Sequence, residues 1–473
     1  MSRSRPGFAT HPRGAQAADT RRTPAAPSSG RSTEGRWVPD SKDAFFVAAL
    51  VWFLIGVLVV RWDWLDPASA ENTLAVGQSY GSNPLYRIIK LSLLALSTIV
   101  VLRRIPLAWL MLRNINAMFL AFVVLVPVSI LWSISPGDTS GRFVSLISIV
   151  QVCFAFSLTA WHPRRFQQVI RPLITAILIG SVIVGLLLPG WIIERGEGTL
   201  KDAWHGLLSS KNSFGQAAGF GMILWLHAWL YDNVRWSRAV PFAGLSLACL
   251  LLSRSSTSLL AAVFSVVFML LLLRLPANLR RYLPWIVVSF SSFVIVYGLA
   301  VLNLLPGLDL LFAPIAALTG KDTTFSNRSE IWKIIEEHIA QSPIFGTGYG
   351  AYWIGPVPSS PSFDFLGRMY FYPYEAHNGY LEIVNDLGYI GLICLIGYIV
   401  IYVRQSVTLM KTDRSQAVLL LALFFQQALI NLSESTWLNV SAPYGFILMA
   451  LATFAVARMI LDRSLRAHFG PGR

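Results

Sequence analysis

The stretch EAHNGYLEIVNDLGYIGLICL, residues 375–395, begins with polar and charged residues and ends as a continuous apolar run. The apolar part continues to about residue 402, which supplies the roughly 20 residues that a helix needs to cross a bilayer. The stretch therefore predicts a membrane-spanning helix with His377 at its entrance. A histidine next to Asn378 and Gly379 at such a position calls for a structural or functional explanation.

The composition of the whole chain agrees with this interpretation. Of its 473 residues, 55% are hydrophobic and only 13% are charged, and the mean hydropathy is +0.57. Soluble domains usually contain about 25% charged residues, so the composition favours a membrane protein. Apolar runs recur along the chain and predict an all-α polytopic protein with about twelve transmembrane helices. The predicted spans are 43–60, 85–102, 115–134, 143–161, 172–190, 213–231, 238–252, 256–273, 284–303, 379–402, 416–431 and 439–457.

The distribution of basic residues predicts the orientation of these spans. Most of the 38 Lys and Arg residues fall on the side that carries both termini, and the positive-inside rule assigns that side to the cytoplasm. Orientation and contact with anionic lipids also account for the net charge of +14, so a nucleic-acid partner is not needed. The three cysteines are far apart within apolar runs and indicate neither a disulfide framework nor a metal cluster.

The chain is predicted to have five segments. The first 42 residues are rich in Arg, Pro and Ser and are interpreted as a disordered basic cytoplasmic tail. A signal peptide is the alternative, but the basic stretch and the apolar run after it are both too long for one. The loop predicted between helices 9 and 10 spans residues 304–378, and a loop of that length usually has a function. The remaining segments are helices 1–9 over 43–303, a large periplasmic loop over 304–378, helices 10–12 over 379–457, and a cytoplasmic tail over 458–473.

The loop contains one pattern of its own, in FSNRSEIWKIIEEHIAQSPIFGTGYG, residues 325–350. Ser326 or Asn327 is a suitable N-cap, and the glycine-rich end predicts a flexible turn. Isoleucines recur at helical spacing, which predicts an amphipathic helix along the membrane surface. These isoleucines are Ile331, Ile334, Ile335 and Ile339.

The stretches NRSEIWKIIEEHIAQSPIFGTGYGAYW and EAHNGYLEIVNDLGYIGL together resemble the hallmark region of the O-antigen ligase and Wzy-type polysaccharide polymerase superfamily, especially its exopolysaccharide-production branch. The likeness extends to WHGLLSSKNSFGQ, residues 204–216, and SRSSTSLLA, residues 253–261. The resemblance implies a GT-C-like glycosyltransferase of the bacterial inner membrane whose active site faces the periplasm. Members transfer a glycan from undecaprenyl diphosphate to a sugar hydroxyl without a metal or another cofactor.

This chemistry suggests roles for particular residues. A diphosphate leaving group develops negative charge, which the paired donors of Arg254 and Arg328 are suited to bind. An acceptor hydroxyl needs a base or an orienting group, and His377 is the catalytic candidate. Four further residues are candidates for substrate binding: Lys211, Asn212, His205 and Arg142.

Each assignment has a structural alternative. His377 is compatible with a surface or capping histidine, and Arg254 with a side chain that only extends to the interface. Arg328 can pair with an acidic residue of its own helix, although exposed ion pairs contribute little to stability. Lys211 can simply mark the entrance of a helix, and His205 can be a hydrogen-bonded loop histidine.

The favoured function is polymerisation of lipid-linked repeat units, because the resemblance is closer to the exopolysaccharide branch. The alternatives are an O-antigen ligase that transfers glycan to lipid A-core, a twelve-helix transporter of lipid-linked oligosaccharide, and a scaffold without activity. Transporters usually carry ionisable groups near the membrane midplane, whereas here these groups cluster at one face. No ATP-binding motif or paired hydrolase carboxylates are recognisable. The expected partners are the undecaprenyl-linked glycan, membrane lipids and proteins of polysaccharide export or chain-length control.

Overall fold

The computed structural model describes residues 41–60, 84–159, 161–194, 202–301, 328–369 and 371–469. Within these residues the chain is helical, and the only β-type pairing is a bridge between Ile193 and Trp204. The predicted all-α class is confirmed. The predicted N-terminal tail and the predicted caps Ser326 and Asn327 lie outside the described residues.

Sixteen α-helices occur in the described part of the chain. Each of the twelve predicted spans overlaps one of the longer helices, and α3, α7, α12 and α13 are additional. The helices are α1 Ser41–Leu58, α2 Pro84–Arg103, α3 Ile105–Leu112, α4 Ala117–Val128, α5 Pro136–Leu158, α6 Arg165–Leu187, α7 Pro189–Ile192, α8 Lys211–Tyr231, α9 Trp236–Leu252, α10 Ser256–Arg274, α11 Leu283–Val301, α12 Arg328–Ile339, α13 Asp364–Met369, α14 Gly379–Leu409, α15 Arg414–Ile430 and α16 Tyr444–Phe469.

Not all of these helices are long and apolar enough to cross a membrane. Among the described residues seven qualify by length and composition, namely α2, α5, α6, α10, α11, α14 and α16. An eighth span is possible if α3 and α4, which are bent by 105°, count as one. The helices α1, α9 and α15 are apolar but shorter. The protein is therefore a multi-pass membrane protein, while the predicted number of twelve spans is not confirmed.

The helices differ in how deeply they lie in the bundle. The most apolar window of α16 is 89% buried, whereas that of α2 is 17% buried. Large apolar side chains such as Leu91 and Trp285 are exposed on the outer helices, and Tyr402 stacks on Phe424 in the interior at 4.1 Å between ring centroids. An apolar surface around a packed interior is the arrangement that a lipid environment favours.

A chain of amides connects α8 with α15 in the interior. Gln216 donates to the side chain of Gln427 at 2.7 Å, and Gln427 donates to Thr436 at 2.6 Å. The side-chain amide of Gln426 donates to the backbone carbonyl of Gln216 at 3.1 Å. Gly219 permits this approach, because a Cβ there would lie 2.5 Å from Nε2 of Gln426. Polar groups inside a helical membrane bundle must be satisfied by each other, so the amides fix how these helices pack.

The predicted amphipathic helix of the long loop is present as α12. Its four isoleucines are buried, and the helix packs against α14. Trp332 Nε1 donates to the backbone carbonyl of Ala376 at 2.9 Å. The apolar face of α12 is thus covered by the protein, which places Arg328, its first residue, near the start of α14.

The helix α14 is interrupted at Gly388, where φ is 64° and ψ is −166°. At this interruption, backbone carbonyls of α14 accept hydrogen bonds from the glycine-rich segment GTGYG, residues 346–350. Thr347 N donates to Asn385 O and Gly348 N donates to Asp386 O, both at 2.9 Å. A positive φ of this kind suits glycine, which has no Cβ to clash. The segment predicted as a flexible turn is therefore held against α14.

Candidate functional site

The turn between α15 and α16 presents Glu434 at one end of the bundle. Asn431 shapes the turn, because its Oδ1 accepts hydrogen bonds from the backbone N–H groups of Thr436 and Trp437, both at 2.9 Å. The carbonyl of Asn431 also accepts from Gly379 N at 2.8 Å. These bonds attach the turn to the first residue of α14.

His377 lies just before that helix, and its position follows from the cap. Asn378 is the N-cap of α14, where its Oδ1 accepts from Tyr380 N at 3.0 Å and Leu381 N at 3.1 Å. His377 itself adopts a φ of 51°, which is uncommon for a residue with a side chain. Strained conformations of this kind are often found at functional sites. Here the conformation turns the chain from the loop into the helix.

Four side chains gather around Glu434, and the five residues are called the Glu434 cluster: Asn212, Arg328, Glu375, His377 and Glu434. Glu434 Oε1 accepts from Arg328 Nη2 at 2.8 Å and from Asn212 Nδ2 at 2.7 Å. Its Oε2 lies 3.8 Å from His377 Nδ1, and Glu375 Oε1 lies 3.1 Å from the same nitrogen. Three of the residues proposed from the sequence, Asn212, Arg328 and His377, are thereby brought together.

The charges of the cluster reinforce one another. Burial lowers the pKa of His377, but Glu375 and Glu434 outweigh burial and raise this pKa to about 10. Burial raises the pKa of Glu434, yet His377 and Arg328 hold it below its ordinary value. At neutral pH the cluster thus contains a protonated His377 beside an ionised Glu434. A protonated His377 donates hydrogen bonds, which disfavours the base role predicted for it and suits the binding of an anionic group.

Three members of the cluster have side chains of the metal-ligating type. The ligand atoms of Glu375, His377 and Glu434 lie within 4.8 Å of one another. However, Arg328 and Asn212 already bind Oε1 of Glu434, and a ligating imidazole must be neutral. The arrangement therefore suits a protonated histidine and an arginine better than a bound metal ion. The absence of a metal requirement stays a prediction.

A cavity of about 240 Å³ adjoins the cluster. Asn212, Glu375 and Glu434 contribute to its lining, and so does Arg142, another residue proposed from the sequence. Gly350 permits the approach of Arg142, because a Cβ at that glycine would lie 2.2 Å from its Cδ. Arg142 is thus close enough to contact a molecule bound beside the cluster.

The remaining predicted residues lie around the same end of the bundle but outside the lining of this cavity. Arg254 is exposed in the short connection between α9 and α10, with a φ of 49°. The first turn of α10, which follows this connection, contacts the cluster, because Ser258 Oγ donates to Asn212 O at 3.2 Å. Lys211 is the first residue of α8, next to Asn212. His205 Nδ1 lies 3.1 Å from Leu208 O, a contact that supports the loop before α8.

Residues 241–396 match the O-antigen ligase family, and this range contains Arg254, Arg328 and His377. The chain is also 28% identical over 368 residues to the exopolysaccharide production protein ExoQ of Rhizobium meliloti strain 1021. That alignment covers 73% of this chain and 78% of ExoQ. Both findings support the resemblance of this chain to the O-antigen ligase and Wzy-type polysaccharide polymerase superfamily. The O-antigen ligase family that matches residues 241–396 implies an enzyme that transfers glycosyl groups.

Glu434 was not among the site residues predicted from the sequence. Its signal is a single acidic residue in a short connection between two apolar runs, which resembles many ordinary turns. Glu382 and Asp386 were also not identified, although both line the cavity. Their signal is stronger, because two carboxylates spaced by four residues at the start of an apolar helix lie on one helix face.

Proposed function

We propose that this protein is a glycosyltransferase that transfers a glycan from undecaprenyl diphosphate to a sugar hydroxyl at the periplasmic face of the inner membrane. The reaction polymerises repeat units of an exopolysaccharide or O-antigen. The observation that carries the proposal is the meeting of Arg328 and His377 on Glu434, beside a cavity that Glu434 also lines. The likeness to ExoQ supports the polymerase branch.

The donor site is assigned to the cationic side of the Glu434 cluster. The departing diphosphate gains negative charge, and N–H donors of Arg328 and the imidazolium of His377 are suited to bind it. Both side chains are largely buried, with 19% and 27% of their surface exposed, which strengthens their interaction with an anion. Arg254 and Lys211 flank the cluster and supply further positive charge.

In this proposal the acceptor sugar binds in the cavity and reacts from there. The oxygen of an acceptor hydroxyl attacks the anomeric carbon, and the bond from that carbon to the diphosphate oxygen breaks. The hydroxyl proton passes to Glu375 or Glu434, the two carboxylates on either side of His377 Nδ1. A single displacement of this kind inverts the anomeric centre. In this scheme His377 orients the diphosphate and remains protonated throughout.

An O-antigen ligase is the second candidate, because the matching family is described by that activity. A ligase uses the same donor chemistry and differs only in its acceptor, which is lipid A-core instead of a second lipid-linked repeat unit. The residues of the Glu434 cluster would have the same roles in both enzymes.

The test uses purified protein in lipid nanodiscs, undecaprenyl-diphosphate-linked repeat units and a chelator. We expect longer glycans and released undecaprenyl diphosphate, and we expect neither product from Arg328→Ala or His377→Ala. The matched control is Arg368→Ala, because Arg368 lies in the same loop but pairs with the exposed Glu337 at 2.6 Å. This control should retain activity.

Two other results would change the assignment. Transfer to lipid A-core without chain elongation would make the protein a ligase. Movement of the intact lipid-linked oligosaccharide across liposomes, without a new glycosidic bond, would replace both enzymes by a transporter.

A further inference from the structure

One wall of the cavity beside the Glu434 cluster has no role in the proposed donor chemistry. This wall consists of Glu382 and Asp386 on α14 and of Trp353 from the long loop. A volume of about 240 Å³ lies just below the range of roughly 300–1,000 Å³ that is typical of ligand pockets. The cavity therefore suits a single sugar ring better than a whole repeat unit.

Asp386 has the features of a ligand-binding carboxylate. The residue is 5% exposed, and its Oδ2 accepts a hydrogen bond from Gly350 N at 2.8 Å. Its Oδ1 is buried without a hydrogen-bond partner among the described residues. A buried polar oxygen without a partner is unfavourable unless a ligand or water completes it. Because Asp386 lines the cavity, a bound hydroxyl is a suitable partner.

Trp353 supplies the complementary donor. It is 6% exposed, and its indole Nε1–H is likewise buried without a partner in the described part of the chain. The ring is held by Phe365 and Tyr372, at 5.3 Å and 5.7 Å between centroids. Trp353 and Asp386 line the same cavity, and together they offer an aromatic surface, an N–H donor and an acceptor oxygen without partners of their own. Sugars, which combine C–H faces with hydroxyls, require this combination.

The charges around the cavity limit which sugars fit. Its ionisable lining consists of one guanidinium, from Arg142, and four carboxyl groups. Ionised carboxyls accept hydrogen bonds from hydroxyls and protonated carboxyls also donate them, so either form binds an uncharged sugar. An acidic sugar would add a carboxylate next to this set, and each ionised carboxyl of the set would repel it. The carboxyl groups belong to Glu375, Glu382, Asp386 and Glu434.

We propose that this cavity is the acceptor subsite, that it binds one uncharged sugar ring through Asp386 and Trp353, and that it rejects uronic acids. The assignment to the acceptor rests on the proposed transferase function. In a single displacement the attacking hydroxyl and the leaving diphosphate lie on opposite sides of the anomeric carbon. Glu434 contacts Arg328 and also lines the cavity. We therefore place the leaving diphosphate beside Arg328 and the attacking hydroxyl in the cavity.

Binding is measured first, because it does not depend on turnover. The protein in nanodiscs is titrated with methyl glucoside, methyl galactoside and methyl mannoside, each beside its methyl uronate, and saturation-transfer NMR reports binding. At least one uncharged hexoside should bind at least about 10-fold more tightly than its uronate. Asp386→Asn should weaken that binding because it replaces one of the two acceptor oxygens by an amide NH2 group. Trp353→Phe should weaken it because it removes the N–H donor together with part of the aromatic surface.

Turnover is measured second, with lipid-linked donor. Asp386→Asn should raise the KM for the acceptor about 10-fold. The KM for the donor and the rate at which water hydrolyses the donor should stay unchanged. A structural defect would change all three. The control is Asp364→Asn, the same substitution in α13, where the side chain is outside the cavity lining.

The outcomes separate the two proposals. Equal binding of hexosides and uronates, or no binding of any hexoside, overturns the sugar subsite. An equal effect of Asp386→Asn on donor and acceptor overturns its assignment to the acceptor. Hexoside binding that depends on Asp386, in a protein that forms no glycosidic bond with any donor, supports the sugar site and contradicts the transferase.

Discussion

Two clusters of the same residue types lie at opposite ends of α8. At the start of the helix, Asn212 contacts Glu434, which also contacts Arg328 and His377. After its last residue, Asp232 is the centre of a second set of basic side chains. The two carboxylates are separated by the length of α8, about 30 Å for its 21 residues. The protein thus builds an acid, arginine and histidine group twice.

The second cluster is packed between helices. Asp232 lies 3.5 Å from both Arg164 and Arg171 and 3.8 Å from His227. The side chains of Asp232 and His227 are 6% and 0% exposed, and the other ring nitrogen of His227 lies 2.9 Å from Ser415 Oγ on α15. We interpret this cluster as a connection between α6, α8 and α15. Residue type alone therefore does not identify a functional site. The Glu434 cluster is the candidate because it lines a cavity.

The largest difference between the clusters is expected for arginine to lysine substitutions. Arg328→Lys keeps the charge but loses the paired donors that suit a diphosphate, so glycan transfer should fall by about 100-fold or more. Arg171→Lys should leave the rate per folded molecule within about 2-fold, because Arg171 contacts no substrate in the proposed mechanism. Release of undecaprenyl diphosphate measures both. Comparable losses in the two variants would contradict the distinction between the clusters.

The next effect concerns pH. The pKa of His377 is raised from 6.5 to about 10, so the protonated form persists at neutral pH and is lost as the pH rises through about 10. If the imidazolium orients the diphosphate, the rate should fall about 10-fold per pH unit above that value. The same ion pairs stabilise the fold below pH 6.5 and lose this contribution as the pH rises through 10.

The control for this pH dependence is His377→Gln. This variant should have a low rate without the alkaline decline. A wild-type rate that instead increases with pH through 6.5 would mean that the neutral imidazole acts as the base.

A smaller effect is expected from Glu434→Gln. One of the two carboxylates that raise the pKa of His377 is then neutral, so this pKa should fall by about one unit or more, equivalent to about 1.4 kcal/mol per unit. NMR of ring-labelled histidine follows the change directly. Asp232→Asn should leave the pKa of His377 unaltered, and an equal shift in both variants would indicate a general change of structure.

The smallest effect on activity is expected from Asp232→Asn. The substitution leaves Arg164, Arg171 and His227 without their common carboxylate, and we expect a loss of about 1–3 kcal/mol in stability. The rate per folded molecule should remain within about 2-fold. Thermal unfolding in nanodiscs and the transfer assay measure the two quantities. A loss of transfer at full stability would assign Asp232 a functional role.

Much of the fold was predictable because helices in a membrane protein leave local patterns. Each predicted span corresponds to a helix, and the isoleucine spacing predicted the apolar face of α12. That face packs against α14 and not, as predicted, against the membrane surface. The number of spans was less predictable, since α1, α9 and α15 are apolar but short. The interruption of α14 at Gly388 was also missed, because an apolar run with one glycine resembles a continuous helix.

The candidate site was predictable only in part, for the same reason. The positions of Arg328 and His377 follow from motifs, whereas their meeting depends on Glu434 in a turn that follows α15. Contacts between residues far apart in the chain leave no periodic pattern, so a single sequence does not indicate them.

The amino-acid sequence alone was sufficient for the membrane environment, the helical class and the position of His377 at the start of α14, because hydrophobic length and capping are local properties. Only the tertiary structure decided that Glu434 joins Arg328 with His377 and that Asp386 opens on the same cavity. These arrangements depend on how helices pack, and packing is determined by the shapes and charges of surfaces that the chain brings together only when it folds.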